Sequence, residues 1–86
     1  MTLFEVVQQL DTLSHEESIY AGRPWSPESE ARLITDSDKT REHGLDYFLE
    51  VFIARDFLEE WAASVGKVPT AEEACHRLIQ YATHDA

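Results

Sequence analysis

The sequence predicts an α+β domain with the element order α-β-β-β-α-α: an N-terminal helix, a small three-stranded, mostly antiparallel sheet and two C-terminal helices. Three observations support this prediction. Apolar residues recur at helical spacing near both ends of the chain, while short aromatic and branched runs in the middle are bounded by glycine and proline. A chain of 86 residues is also long enough for one modest core. We therefore interpret residues 1–86 as a single domain.

The first predicted helix covers residues 2–13. Thr2 and Glu5 have the spacing of a capping box, in which each side chain accepts a hydrogen bond from the backbone amide of the other residue. One apolar stripe follows at three- and four-residue spacing, formed by Leu3, Val6, Val7, Leu10 and Leu13.

The first predicted strand lies in the segment from Ser18 to Trp25. This segment is short and aromatic, and Gly22, Pro24 and Pro27 bound it. Because proline cannot donate a hydrogen bond to a neighbouring strand, we expect an edge strand followed by a turn.

The second predicted strand covers Ala31 to Thr35. A short helix over residues 28–34 is the alternative, because Ser26 could act as its N-cap with Pro27 at the first helical position. Residues 36–44 contain no large apolar side chain and end in glycine, so they predict an exposed loop.

The third predicted strand covers Leu45 to Ile53, whose almost continuous apolar character is typical of a central strand covered on both faces. From Ala54 to Val65 the apolar residues recur at helical spacing, and Gly66 is the usual residue just past a helix end. One long helix over residues 46–65 is the alternative, and its first half would be apolar on every face.

The last predicted helix covers residues 70–83. Thr70 and Glu73 repeat the capping-box spacing, and Glu73 is placed to form an ion pair with Arg77 one turn later. The stripe expected to be buried consists of Ala71, Ala74, Cys75, Leu78 and Ala82.

The charge balance restricts the possible partners. Seven Lys and Arg residues against seventeen Asp and Glu residues give a net charge of −10. Such a surface repels phosphate backbones and anionic lipids, so we expect no direct binding of nucleic acid or membranes. It also speeds the approach of a protein partner with a basic surface, although acidic proteins can be acidic simply for solubility.

The compartment predicted from the sequence is the cytoplasm. The lone Cys75 cannot form an internal disulfide, and the segment MTLFEVVQQLDTL has no basic region and no long apolar run. We therefore expect neither a conventional signal peptide nor a membrane span.

No arrangement of residues with a recognised catalytic spacing stands out, so we expect a protein that is not an enzyme, with no metal and no cofactor. Two local clusters could bind a metal ion, but each supplies too few ligands at a recognised spacing. They are His15 with Glu16 and Glu17, and Glu72 with His76. Cys75 lies on the predicted apolar stripe, which favours a buried small side chain over a reactive thiol.

Glu50 lies inside the apolar run at 45–53. On a central strand its carboxylate would need a partner, because burying an unpaired charge is costly. Arg23, Arg32 and Arg55 are the candidate partners, and the alternative is an edge position that is open to water.

The segment YAGRPWSP, residues 20–27, supplies the candidate partner-binding residues Tyr20, Arg23 and Trp25. Tyr, Trp and Arg are enriched where interfaces concentrate their binding energy, and the neighbouring prolines reduce the entropy lost on binding. Alternatively, Trp25 folds back over the sheet to complete the core. A binding anchor predicts that Trp25→Ala leaves the thermal midpoint nearly unchanged, whereas a core position predicts a large loss of stability. In the binding interpretation the loop adds charge through Asp36, Asp38 and Glu42.

The stretches IYAGRPWSPESEA, LDYFLEVFIARDFLEEW and RLIQYATHDA resemble a family of small acidic bacterial domains of unknown function. In size, acidity and lack of catalytic motifs the chain also resembles bacterial toxin-immunity proteins. This resemblance implies an inhibitor that covers the basic, substrate-binding surface of a toxin such as a nuclease or deaminase. A second hypothesis is a structural or regulatory subunit that forms a homodimer through its last two helices. A third is a small hydrolase or metal protein that uses Glu50, His76 or His15.

Overall fold

A computed structural model describes residues 1–14, 16–35 and 44–85 and confirms the predicted α+β class and element order. Helix α1 (Leu3–Gln8) is followed by a 3₁₀ turn (Leu10–Thr12) and by strands β1 (Ser18–Ala21), β2 (Ala31–Ile34) and β3 (Asp46–Glu50). Helices α2 (Val51–Val65) and α3 (Ala71–Asp85) complete the order.

The sheet has the strand order β2-β1-β3, and β1 pairs antiparallel with both neighbours. The prediction that the first strand is an edge strand is therefore wrong, as is the prediction that the third is central. β1 ends at Ala21, so Pro24 and Pro27 lie beyond its end and leave its amides able to pair on both sides.

A β-bulge explains the apolar run in β3. Ile19 lies opposite Leu49 and Tyr20 lies opposite Tyr47, so Phe48 is an extra residue in the ladder. Phe48 and Leu49 are both buried, although consecutive residues of a regular strand point to opposite faces. The sequence of β3 therefore looks like that of a strand buried on both faces, although β3 buries only one face.

Helix α2 begins directly after β3, at Val51 and not at the predicted Ala54. The backbone amide of Val51 donates a hydrogen bond of 2.9 Å to the carbonyl oxygen of Glu17, which ties the start of the helix to the entry of β1. Because residues 46–50 form a strand, the alternative of one long helix is wrong. Gly66 ends α2 as predicted, with a φ of 77° that favours glycine.

Helix α1 is shorter than the predicted range of residues 2–13. The Gln9 carbonyl accepts hydrogen bonds from the amide and the hydroxyl of Thr12, at 2.9 Å and 2.8 Å, which tightens the chain into the 3₁₀ turn. Leu10 remains buried in this turn. The predicted capping box at the start of α1 is present between Thr2 and Glu5.

At the start of α3 the Thr70 amide donates to Glu73 Oε1 at 2.9 Å, and the Glu73 amide donates to Thr70 Oγ1 at 3.1 Å. The second predicted capping box is therefore also present. The expected ion pair between Glu73 and Arg77 is wrong, because Glu73 Oε2 instead lies 3.8 Å from Lys67 Nζ. The Arg77 guanidinium lies over the Phe57 ring, 5.0 Å from its centroid.

The core lies where α1 and α3 pack against each other and against one face of the sheet. Of the fifteen residues of α2, the buried ones are Val51 and Ala54, so the second half of this helix contributes little to the core. In the described ranges, no helix combines the length and apolar character needed to cross a bilayer. The buried cluster consists of Leu3, Val6, Val7, Leu10, Ile19, Ala21, Ala31, Phe48, Leu49, Val51, Ala54, Ala74, Cys75, Leu78 and Ala82.

Candidate functional site

The side chain of Trp25 folds back over the end of β1. Its Nε1 donates a hydrogen bond of 3.1 Å to the carbonyl oxygen of Ala21, and its ring meets the Phe48 ring edge-on with the centroids 4.9 Å apart. The ring is half-buried against the core cluster. Trp25 therefore helps to complete the core, as the alternative interpretation of this segment predicted.

Hydrogen bonds within the turn after β1 fix its shape. Ser29 Oγ accepts from the Ser26 amide at 2.9 Å and donates to the Pro24 carbonyl at 3.3 Å, and the Ser29 amide donates to the Ser26 carbonyl at 3.0 Å. The peptide bond between Arg23 and Pro24 is cis. The hydrogen bonds of Ser29 therefore define the conformation of this turn.

Arg23 joins this turn to β3. Its guanidinium lies over the Trp25 ring, 4.5 Å from the centroid, and its Nε lies 3.7 Å from Asp46 Oδ2. Both charged side chains are largely exposed, so this ion pair contributes little to stability. It does orient the guanidinium at the mouth of a groove.

The groove, called the Trp25 groove below, has a volume of about 830 Å³ and is open to solvent. The turn after β1, the first half of β3 and the end of α3 supply its walls. Its lining residues are Arg23, Pro24, Trp25, Asp46, Tyr47, Phe48, Ala82 and Thr83. Aromatic surface beside a few polar groups is the usual make-up of a binding groove.

Tyr20 contacts this groove through Tyr47. The two tyrosines are cross-strand neighbours, and their rings pack edge-on with centroids 5.7 Å apart. Tyr47 is 42% exposed. Partial burial, and then the negative charge of Glu50, raise the pKa of the Tyr47 phenol above its ordinary value. The hydroxyl is therefore protonated at neutral pH and can donate a hydrogen bond to a partner.

Of the residues predicted from one segment, Arg23 and Trp25 line the groove, and Tyr20 packs against its Tyr47. Asp36, Asp38 and Glu42, predicted to add charge, lie outside the described residues. Sequence reasoning missed Asp46 and Tyr47, because it treated residues 45–53 as a fully covered strand. The polar character of these two residues at the start of the run was the available signal of an exposed strand end.

No protein-family model, curated protein or solved structure matches this chain.

Glu50 does not occupy the buried position that a central strand would have given it. It is half-buried at the junction between β3 and α2, where it is the N-cap residue. The candidate partners are engaged elsewhere in the described part of the chain: Arg23 pairs with Asp46 and Arg32 with Glu30. Arg55 donates to two backbone carbonyls. This geometry fits the alternative of an edge position open to water.

Potential metal ligands in the described residues do not converge, since these ranges contain no group of three or more His, Cys, Asp or Glu side chains that could hold an ion. Glu72 and His76 are exposed and line a surface groove of about 390 Å³ with Phe4 and Glu28. His15 lies outside the described residues.

Cys75 is fully buried, as predicted from its place on the apolar stripe. Burial, with a smaller effect from the charge of Glu28, raises the pKa of its thiol to about 11. The thiol is therefore protonated at neutral pH and is a poor nucleophile.

Proposed function

We propose that the protein is a non-catalytic, acidic binding module of the immunity or inhibitor type, which acts in the cytoplasm by covering a basic surface of a toxin or other protein partner. The observation that carries this proposal is the way charge is distributed over the described residues.

The described cations are engaged within the molecule. Arg23, Arg32 and Lys67 form ion pairs. Arg55 donates to backbone carbonyls, and Arg77 contacts Phe57 and Gln80.

Most described carboxylates, in contrast, form no ion pair with a described Lys or Arg and are exposed or half-exposed. They are Glu5, Asp11, Glu16, Glu17, Glu28, Glu50, Asp56, Glu59, Glu60 and Glu72. Ten described carboxylates therefore face solvent without an ion-pair partner, while each described Lys or Arg has a partner within the molecule. This excess of unpaired negative charge favours a basic protein partner over nucleic acid or a membrane.

The Trp25 groove supports the proposal in a second way. The indole of Trp25 is fixed by the Ala21 carbonyl and the Phe48 ring, so it loses little entropy when a partner covers it. Tyr20, Arg23 and Trp25 are the proposed anchors, with Tyr47 added, and Asp36, Asp38 and Glu42 are proposed to supply charge. Energetic anchors of this kind are typically rigid aromatic side chains beside an Arg.

The experiment is to isolate the partner from the native host with tagged full-length protein, purify that partner and measure association and dissociation rates. We expect the association rate to fall steeply between about 50 mM and about 500 mM salt. We also expect Tyr47→Ala to raise the dissociation rate, whereas Val68→Ala, at a position 91% exposed on the α2–α3 turn, should change neither rate. A partner with an acidic surface, or an association rate insensitive to salt, would contradict the proposal.

A second candidate function is a self-associating structural or regulatory subunit. The exposed apolar side chains of Val65 and Val68, at the end of α2 and in the turn after it, favour this candidate. Light scattering at micromolar concentration tests it, because a stable homodimer would support self-association and a monomer would support the binding module.

A further inference from the structure

We propose that a basic protein partner docks on the outer face of α2, with the Phe52 ring entering an apolar socket surrounded by Lys and Arg side chains. This outer α2 face consists of Phe52, Asp56, Glu59, Glu60 and Ala63. The inference rests on the proposed function and adds a second contact surface, separate from the Trp25 groove, and the chemistry of the partner region that it binds.

The members of the outer α2 face lie on one side of the helix. Phe52, Asp56, Glu59 and Ala63 follow each other at four, three and four residues, which is the spacing of one helical face. Glu60 borders this row, and all five residues are exposed. Of the buried residues of α2, Ala54 lies on the opposite side of the helix, and Val51 lies about 100° around the helix from Phe52.

Phe52 is the aromatic residue of this face and lies at its N-terminal end. Its side chain is 45% exposed, although phenylalanine is normally buried. The side of α2 opposite Phe52 meets the core through Ala54, which is fully buried. A single exposed aromatic ring that enters a pocket on a partner is a common source of binding energy.

Backbone contacts place Glu17 and Asp11 near the first two turns of α2. The Glu17 carbonyl accepts the hydrogen bond from the Val51 amide, which places Glu17 beside the first turn of α2. Arg55 Nη2 donates to the Asp11 carbonyl at 3.2 Å, which places the Asp11 backbone on the side of α2 that faces the body of the domain.

The one cation in α2 is directed away from the outer face. Arg55 Nη1 and Nη2 donate to the carbonyls of Leu13 and Asp11, both at 3.2 Å, so the guanidinium is held against the body of the domain. The outer α2 face itself carries only carboxylates, the Phe52 ring and a methyl group.

The neighbouring carboxylates of the outer α2 face destabilise the helix. Asp56 and Glu60 are four residues apart and Asp56 and Glu59 are three apart, so like charges lie next to each other on one helix. Lys or Arg side chains from a partner would relieve this repulsion at the moment of binding. Charge complementarity therefore selects a basic occupant.

The same argument disfavours a second copy of this chain, because two outer α2 faces would place carboxylates against carboxylates. The Trp25 groove is a separate surface of different charge, since its Arg23 and Asp46 side chains neutralise each other. The outer α2 face is thus a surface whose charge matches a basic partner.

The experiment measures binding of three synthetic peptides of about 18 residues to the isotope-labelled full-length protein by NMR titration. The first is an amphipathic helix with a Leu stripe flanked by Lys; the second has Glu in place of Lys, and the third has Gln in place of Leu. We expect the Lys/Leu peptide to bind most tightly. The largest amide shifts should fall on residues 52–63, and added salt should weaken the binding.

Two variants test the surface directly. Phe52→Ala should weaken binding of the Lys/Leu peptide about tenfold or more, while the control Val68→Ala, which shortens an exposed apolar side chain outside the outer α2 face, should leave it unchanged. Glu59→Lys should weaken the same binding because it replaces a carboxylate with a cation. This exposed substitution keeps the test valid even if Phe52→Ala fails to fold.

Two outcomes would overturn this inference and leave the proposed function standing. The first is amide shifts centred on the Trp25 groove. The second is a dissociation constant for the Lys/Leu peptide that changes by less than about twofold in both Phe52→Ala and Glu59→Lys. If neither the Lys/Leu peptide nor a basic host protein binds anywhere, both proposals are wrong. Binding of the Glu/Leu peptide as tight as that of the Lys/Leu peptide would also overturn the inference.

Discussion

The ring of Trp25 stands edge-on against the ring of Phe48, with an angle of 88° between their planes. Phe48 is the extra residue of the β3 bulge and is fully buried, so Trp25 covers the core at the point where the sheet is irregular. One side of the Trp25 ring therefore packs inward, while Arg23 lies over the ring at the groove. Stability and binding are coupled at this residue.

Trp25→Ala should lower the free energy of unfolding by about 2–3 kcal/mol, less than for a fully buried Trp because the ring is half-exposed. If Trp25 were only a binding anchor, this variant would keep its thermal midpoint. Because Trp25 packs against Phe48, we expect a loss of stability instead. Urea denaturation measures the loss. Arg23→Ala is the control, and it should change the free energy by less than about 0.5 kcal/mol because its ion pair is exposed. A Trp25→Ala variant as stable as the wild type would show that the Phe48 contact is unimportant.

Arg55→Met should destabilise the fold by about 2 kcal/mol, because the carbonyls of Asp11 and Leu13 lose a charged donor. Arg32→Met is the matched control, since Arg32 pairs with Glu30 in an exposed position and should cost less than about 0.5 kcal/mol. Chemical denaturation compares the two variants. If Arg55→Met lowers the free energy of unfolding by as little as Arg32→Met, the contact between α2 and the 3₁₀ turn adds nothing to stability.

Cys75 should react slowly with a thiol reagent at pH 8 in the native state and rapidly in urea, because burial keeps its thiol protonated. The folded-state pKa of about 11 lies above the ordinary value of 9.0, so the unfolded chain loses this proton first as pH rises. The contribution of Cys75 to stability is therefore complete below about pH 9 and is lost between about pH 9 and about pH 11.

Cys75→Ala isolates this effect, because the other titrating groups are common to both proteins. The difference in unfolding free energy between wild type and Cys75→Ala should shrink as pH rises through that window. A difference that stays constant to pH 11 would contradict burial as the cause of the raised pKa.

Glu73→Gln should remove part of the acid sensitivity of the protein. The hydrogen bond from the Thr70 amide, and then the charge of Lys67, lower the pKa of the Glu73 carboxyl below its ordinary value of 4.5. The carboxylate therefore contributes stability above the unfolded-state pKa, and this contribution is lost as pH falls through the lowered folded-state pKa.

Glutamine can still accept the hydrogen bond from the Thr70 amide, so the variant keeps the capping box and loses only the charge. Thermal unfolding of both proteins between about pH 6 and about pH 3 measures the effect. The two curves should differ at the higher pH and converge at the lower one. Parallel curves across this range would show that the Glu73 charge does not stabilise the folded state.

Much of the fold could be predicted from local patterns. Both capping boxes, the helix end at Gly66 and the second strand follow from interactions between residues a few positions apart, and all are present. The start of α2 could not be placed, because strand β3 passes into the helix without a turn and the apolar run continues across the junction.

The candidate site was predicted in part. Tyr20, Arg23 and Trp25 stand out by residue type, but Asp46 and Tyr47 join them only because β3 lies next to β1 in the sheet. The Glu73–Arg77 pair failed for a similar reason: Lys67 competes for the carboxylate, and the Phe57 ring offers Arg77 another contact.

The order of amino acids specified the class of fold, the helix caps, the buried position of Cys75 and the acidic character of the chain, since each depends on residue type and short-range spacing. The three-dimensional packing set the central place of β1, the bulge that turns both Phe48 and Leu49 inward and the face of α2 on which Phe52 is exposed. Strand order and helix exposure depend on contacts between residues far apart in the chain, and no local spacing encodes those contacts.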